Sequence, residues 1–536
     1  MSTPTQVQIG DVVVLSDDAA QRLSQNDSTW NDDLRPCTLA EHTWPGSKFA
    51  SLWVGMCICL PTYSLASGMI ALGMNWWESV LTILVGSLIV MGAILLVSHA
   101  GTRYGIPYPV FARLWFGTRG AHVPALARAV IAAGWFGINS WFGGQALDAI
   151  LTRSLPFWGD FGAHLAVAFT IFWAINVLIA MRGPQAIGTL AQVAAPTLAI
   201  GALALLVWAS TRVGGFGPML AAPAKIHGAA FWASFYPSVI GVIAFWATLA
   251  LNIPDYTRYA KTQRGQMLGQ VLSMPLTMAL FSFVGIAVTS VTVQLYGTAL
   301  WNPVELIVKF PPFVVILAGI VIVLSSVTIN VGANVMAPAR AFENLWPRRI
   351  TFAIGAVITG LLSLLMQPWY VLATFQNYIF TWLGTYGALL GPFDGIAIAD
   401  YWLVRRRRLD LAQLYTPRGI YSYGHNIFGD DWDSTMPGVV VLRQLMAPIR
   451  SLLRGINPNA VAALLAGWLV PLIGLRVPSL YFLWSGGWLF GLLGGLLGYW
   501  LLMRNDRSVI DQATFAAITR VESPPAEESS SKGILT

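Results

Sequence analysis

The sequence predicts an all-α integral membrane protein of about twelve transmembrane helices, built as a five-plus-five inverted repeat with two extra C-terminal helices. Three observations carry this. Of 536 residues, 56% are hydrophobic and only 10% charged, against about 25% charged in soluble domains. Apolar runs of roughly 20 residues, the length that crosses a bilayer, recur over 49–74, 76–98, 124–152, 160–181, 188–209, 230–252, 271–296, 310–336, 350–366, 374–402, 459–475 and 480–503. Finally, the first and sixth runs hold matching positions in two sets of five, 47–209 and 230–402. Both carry helix-breaking residues, a pattern that marks inverted repeats with a binding site at the two breaks.

Charge sets the orientation. With an even number of spans, all but five of the 31 Lys and Arg residues lie on the side of the two termini. The exceptions are Arg153, Arg212, Lys225, Lys309 and Arg476. Such a bias places both termini in the cytoplasm, and the expected location is the cytoplasmic (inner) membrane, with lipid as a partner. The net charge of +7 therefore reads as topology, not nucleic-acid binding, and the run Arg405–Arg408 reads as a cytoplasmic anchor at a helix end. Cys37, Cys57 and Cys59 offer neither a disulfide framework nor a zinc spacing.

Taken in order, residues 1–46 read as a polar cytoplasmic segment with no cleaved leader. In the first span, Gly55 and Pro61 bracket a break near mid-membrane, tolerated only where freed backbone faces protein or a water-filled cavity. Loop 99–122 is basic, aromatic and rich in Gly and Pro. The third span carries GWFGINSWFGG (134–144). Pro237 and Gly241 are expected to interrupt the sixth span, which then ends in FWATLALNIPDYTRYAKTQ (245–263), where Asn252, Pro254 and Asp255 supply strong turn chemistry. In the eighth span, small and polar residues take over at SSVTINVGANVMAPARAF (325–342). The tenth is expected to break at Gly-Pro-Phe-Asp-Gly (391–395). Residues 403–457 form a long cytoplasmic connection, 458–503 hold the last two spans, and 504–536 are polar enough to expect a disordered tail.

Trp135 and Asn139, four residues apart, share a helix face and combine a flat stacking surface with an amide donor and acceptor. Trp246, beside Phe245, offers a second aromatic face. Asn334 stands beside Gly332 and Ala333, small residues that allow close approach. Together they suit a planar, uncharged, hydrogen-bonding heterocycle, although each residue type also serves ordinary helix packing. A cation site has material in the carbonyls near Gly55 and Ile58 and the hydroxyls of Ser325 and Thr328; the common alternative is a hydroxyl bonded to its own helix. Of the carboxylates near membrane depth, Asp255 and Asp394 are the possible proton relays. No nucleotide-phosphate loop, nucleophile triad or metal cluster is visible, so an enzyme has no basis and no cofactor is expected.

These segments, with LWVGM (52–56), PTYSLASGMIALGM (61–74), GTRYGIPYPVFAR (101–113) and GPFDGIAIADYWLVRRRRLDL (391–411), resemble the nucleobase:cation symporter family 1. That family includes permeases for hydantoin, allantoin, uracil and cytosine. The resemblance implies a leucine-transporter type of fold working by alternating access. It puts Trp135 and Trp246 on the two faces of the substrate, Asn139 and Asn334 at its edges, and the cation among Gly55, Ile58, Ser325 and Thr328. Three departures stand out. The hydantoin pattern has Gln where this chain has Asn139 and Cys59, and a second hydroxyl residue where it has Ile329. The implied activity is secondary active transport of allantoin or a related ureide or hydantoin, coupled to sodium or a proton, with uracil or another pyrimidine as the alternative. From another class, a transport-inactive membrane receptor remains.

Overall fold

The computed structural model describes residues 4–25, 29–30, 32, 34–182, 188–345, 349–423, 454–506 and 508–523. Each of the twelve expected stretches is helical. Among the described residues, seven helices are long and apolar enough to cross a membrane, and nine when each of two bent pairs counts as one span. The third (His122–Ser154), the ninth (Phe352–Leu365) and the tenth helices lie outside that set. The third carries Arg128, Asp148 and Arg153, and the ninth is short. Lipid-facing stripes are visible as exposed leucines one turn apart, such as Leu272, Leu276 and Leu280 on the seventh helix, Gln263–Tyr296.

The first span breaks where Gly55 and Pro61 suggest. Helices Gly46–Cys57 and Leu60–Ala71 meet at 58°, with Cys59 fully extended between them. Pro61 falls in the first turn of the second half, where its missing N–H costs no helical bond.

The sixth span corrects the sequence reading. Gly228–Asn252 is one continuous helix with Pro237 inside it, ending only at Ile253 and the short helix Pro254–Thr257. Gly241 is a packing residue: a Cβ there would meet Ile379 Cγ1 at 2.7 Å. Only the first of the two matched spans is therefore broken. Irregularity appears instead in the eighth span, where Pro312–Ile329 passes through a π-helical stretch, Asn330–Val335, into Met336–Leu345. Wide turns of this kind re-aim side chains and are frequent at functional sites.

The expected break at 391–395 is also absent. Gly384–Ile398 is helical through Pro392 and Asp394, because neighbouring helices pack directly on the glycines. A Cβ on Gly395 would sit 2.0 Å from the Leu492 carbonyl of the twelfth helix, Gly487–Met503. Gly395→Ala is therefore expected to cost about 1–3 kcal/mol through overpacking, read as a lower Tm in detergent. An unchanged Tm would contradict this close packing.

Both ends of the chain hold more order than their composition suggests. Gln6–Ile9 and Val12–Leu15 form an antiparallel hairpin turning at Gly10 (φ 59°). Thr519–Glu522, preceded by helix Gln512–Ile518, adds to it in parallel, which corrects the expected disorder for that part of 504–536. Gln6 anchors the sheet, donating to Thr519 Oγ1 at 2.8 Å and accepting from the Leu411 amide at 2.9 Å. Among the described residues the fold is thus helical with one small sheet. Most of the 403–457 connection lies outside the described residues.

Candidate functional site

A cavity of about 840 Å³ opens beside the break of the first span. It is bounded by the first, third, fifth, sixth and eighth helices. Every residue expected at a substrate or cation site lines it: Cys59, Trp135, Asn139, Phe245, Trp246 and Asn334, and also Gly55, Ile58, Ser325 and Thr328. It runs from mid-span to Trp44 and Lys48, at the N-terminal end of the first span.

The aromatic wall is not a pair of parallel plates. Phe245 stands edge-on to Trp135 (centroids 4.9 Å, 74°) and to Trp246 (4.9 Å, 76°), so the two indoles meet through it. Trp53 backs Trp246 at 5.2 Å, while Trp382, Tyr378 and Tyr386 back Trp135. The Tyr386 hydroxyl donates to the Ala244 carbonyl at 2.9 Å, tying the tenth helix to the residue before Phe245. Successive edge contacts fix each ring relative to the next.

The amides divide into satisfied and unsatisfied atoms. Asn139 donates Nδ2 to the Trp135 carbonyl at 3.1 Å, but its Oδ1 is buried without a partner, as is the indole N–H of Trp246. Each such orphan costs about 1–3 kcal/mol. Asn334 donates to Asn330 Oδ1 at 3.1 Å. Asn330 in turn reaches Ser140 Oγ (3.1 Å), the Phe136 carbonyl (3.2 Å) and Asn176 Oδ1 (3.3 Å). This relay across the third, fourth and eighth helices was not read from the sequence. The signal was present: Asn176 and Asn330 are amides within apolar runs, and at membrane depth such groups must find partners.

Around Gly55 and Ile58 the backbone leaves regular helix, and Ile58 (φ −80°, ψ 81°) ends the first half-span. A Cβ on Gly55 would meet nothing within 4 Å, so packing does not demand glycine there. Thr328 donates its hydroxyl to the Leu324 carbonyl at 2.9 Å, which still leaves oxygen lone pairs. Ile329 lines the same wall and contributes no oxygen.

Neither relay carboxylate lines the cavity. Asp394 is fully buried between the tenth and twelfth helices, accepting from Trp488 Nε1 at 3.0 Å, with Oδ1 unpaired. Asp255 lies closer. Its Oδ1 accepts the Tyr108 amide at 2.8 Å, and Asn252 links it to Arg128 through contacts of 3.3 and 3.4 Å. Burial pushes the Asp255 carboxyl above its ordinary range, opposed by the Tyr108 N–H and the Arg128 charge. Arg128, read from the sequence only as a topology charge, is 5% exposed and lines the cavity.

Arg405, expected as part of a cytoplasmic anchor at a helix end, is buried in an ion pair with Asp400. It is 1% exposed and donates Nε to both oxygens of buried Asp400 at 3.0 Å, Nη1 to the Ser508 carbonyl and Nη2 to the Tyr423 hydroxyl. Tyr499 donates to Asp400 at 2.6 Å. The cluster ties the end of the tenth helix to the twelfth and to the C-terminal segment.

Comparison with known proteins follows the same lines. Residues 36–470 match a family described as permeases for cytosine/purines, uracil, thiamine and allantoin. The chain is 36% identical to the allantoin permease of Bacillus subtilis over 90% of its own length and 94% of that protein's. It is 41% identical to the purine-uracil permease of Arabidopsis thaliana over 75% and 69%. Among solved structures, it is similar to the inward-facing conformation of Mhp1 (TM-score 0.74, 25% identity, 92% of this chain and 98% of that one). The closed conformation of Mhp1, with bromovinylhydantoin bound, gives a TM-score of 0.69 at 26% identity over 89% and 96%. A multi-pass helical membrane scaffold and a family match across most of the chain lead to one conclusion: the protein is a permease of the nucleobase:cation symporter family 1.

Proposed function

We propose that this permease imports a small planar nitrogen heterocycle, allantoin or a related ureide or hydantoin first, by cation-coupled alternating access across the cytoplasmic membrane. The observation that carries this reading is the pair of unsatisfied groups beside the aromatic wall. The Asn139 carbonyl lacks a donor and the Trp246 N–H lacks an acceptor. The ring edge –C(=O)–NH– of a ureide or pyrimidine supplies both, while one face stacks on the Trp135 indole. Asn334, held by Asn330, presents a further amide to the ring.

Uracil or another pyrimidine is the second reading, favoured by the identity to the Arabidopsis purine-uracil permease. Competition separates the two. Excess unlabelled allantoin should suppress uptake of a labelled ring more than equal uracil; the reverse order assigns the site to the pyrimidine.

The cavity reaches the N-terminal end of the first span, the expected cytoplasmic side, which supports an inward-open state. The cation would sit among the carbonyls of Gly55 and Ile58 and the oxygens of Ser325 and Thr328. Sodium prefers a full set of hard oxygens, and Ile329 withholds one, so a proton is the competing ion. Asp255, whose burial favours the protonated form, is then the nearer relay and Asp394 the more remote. Ile329→Thr should raise the ratio of uptake with and without sodium several-fold; an unchanged ratio discards the missing-hydroxyl argument.

A further inference from the structure

The cavity is much larger than one small ring needs, and it has a second polar end. Arg128 lies seven residues before Trp135 on the third helix, so the two share a face. They are about 10 Å apart along the axis at 1.5 Å per residue. Thr248, Leu249 and Tyr256 complete this inner end, and Lys48 stands at its mouth. The guanidinium is poorly satisfied. Nη2 makes one long contact of 3.4 Å to Asn252 Oδ1, while Nε and Nη1 are buried with no partner. Asp255, the nearest carboxylate, is occupied by the Tyr108 amide and Asn252. A buried charge with open donors is costly unless an acceptor meets it.

We propose that Arg128 forms a second ligand subsite at the inner end of the cavity, which takes the carbonyl oxygens of an oxo-substituted ring. A ring carboxylate is taken more strongly, because arginine's planar fork matches a pair of oxygens. Substrate released from the aromatic wall is received there on its way out, and Tyr256 bounds the ring. The subsite rests on the proposed function, since it assumes that the cavity accepts such rings.

Equilibrium binding of labelled uracil and labelled allantoin to the purified full chain tests it. For the ring that binds, wild type is expected to take two molecules per chain, one tight and one weak. Arg128→Gln should lose the weak component and keep the tight one within about twofold, a factor too small to represent a lost hydrogen bond. Trp135→Ala should do the converse. Orotate, a uracil bearing a carboxylate, should displace the weak component at lower concentration than the tight one. Should Arg128→Gln fail to fold, Arg128→Lys is read instead; it keeps the charge without the fork and should weaken the second component and its displacement by orotate. One molecule per chain in wild type, or two that both survive the Arg128 variant unchanged, overturns the subsite and leaves the proposed function standing. No binding of either ring to folded wild type removes the proposed function and the subsite with it.

Discussion

Trp135→Ala is expected to abolish uptake while leaving the protein folded in the membrane. The indole is 7% exposed, and its loss removes one stacking surface. It also removes the support that holds Phe245 edge-on at 4.9 Å. Stacking of a heterocycle on one aromatic side chain is worth about 1–3 kcal/mol, or roughly 5- to 150-fold in affinity. Disorder of the next ring then adds a loss of orientation that slows transport at saturating substrate. Trp141→Ala is the matched control. Trp141 is on the same helix but packs on Phe169 and Trp369 outside the cavity lining, so uptake should persist. Equal loss in both variants would mean that any large cavity in this helix disables the protein.

The second large effect is on stability. Asp400→Asn or Arg405→Gln should each cost about 3–5 kcal/mol, because removing one member of a buried pair leaves the other charge uncompensated. Arg405 also holds Ser508 and Tyr423, so its loss frees the C-terminal segment that carries Thr519–Glu522. Thermal unfolding in detergent should show a clearly lower Tm for each single variant. The double variant Asp400→Leu with Arg405→Met should recover part of the loss, since an apolar pair of similar volume avoids the charge penalty. Singles that melt like wild type would mean that the pair is solvated.

Much of the scaffold was legible because lipid leaves little choice. Twenty apolar residues in a row must satisfy their backbone internally, and a helix does so. The break at Cys59 was legible because Gly55 and Pro61 flank an extended residue within such a run. Pro237 and Pro392 misled because the same chemistry is silent when neighbours pack closely. Gly391 and Gly395 admit the backbone of the twelfth helix there, and the helix stays whole.

At the site, the residues facing the cavity could be identified by type and spacing, but their mutual geometry could not. Phe245 lies between the two indoles, a relation between the third and sixth helices that no local pattern encodes. The relay from Asn334 through Asn330 to Asn176 is of the same kind. The terminal sheet pairs residues about 513 positions apart in sequence, through strands of four residues with too little periodicity to be seen. Arg128 and Arg405 looked like topology charges because each lies near a span end, where lysine and arginine are common.

The most direct test of the account is uptake of labelled allantoin into cells that express the chain, in sodium and sodium-free buffer, with and without a protonophore. Saturable uptake that competes with unlabelled ureide and collapses when its driving cation gradient is removed is the predicted result. Loss with the protonophore alone would identify the proton as that cation, and loss without sodium would restore the Gly55, Ile58, Ser325 and Thr328 set. Absence of saturable uptake of allantoin, hydantoin or uracil by folded, membrane-inserted protein would contradict it.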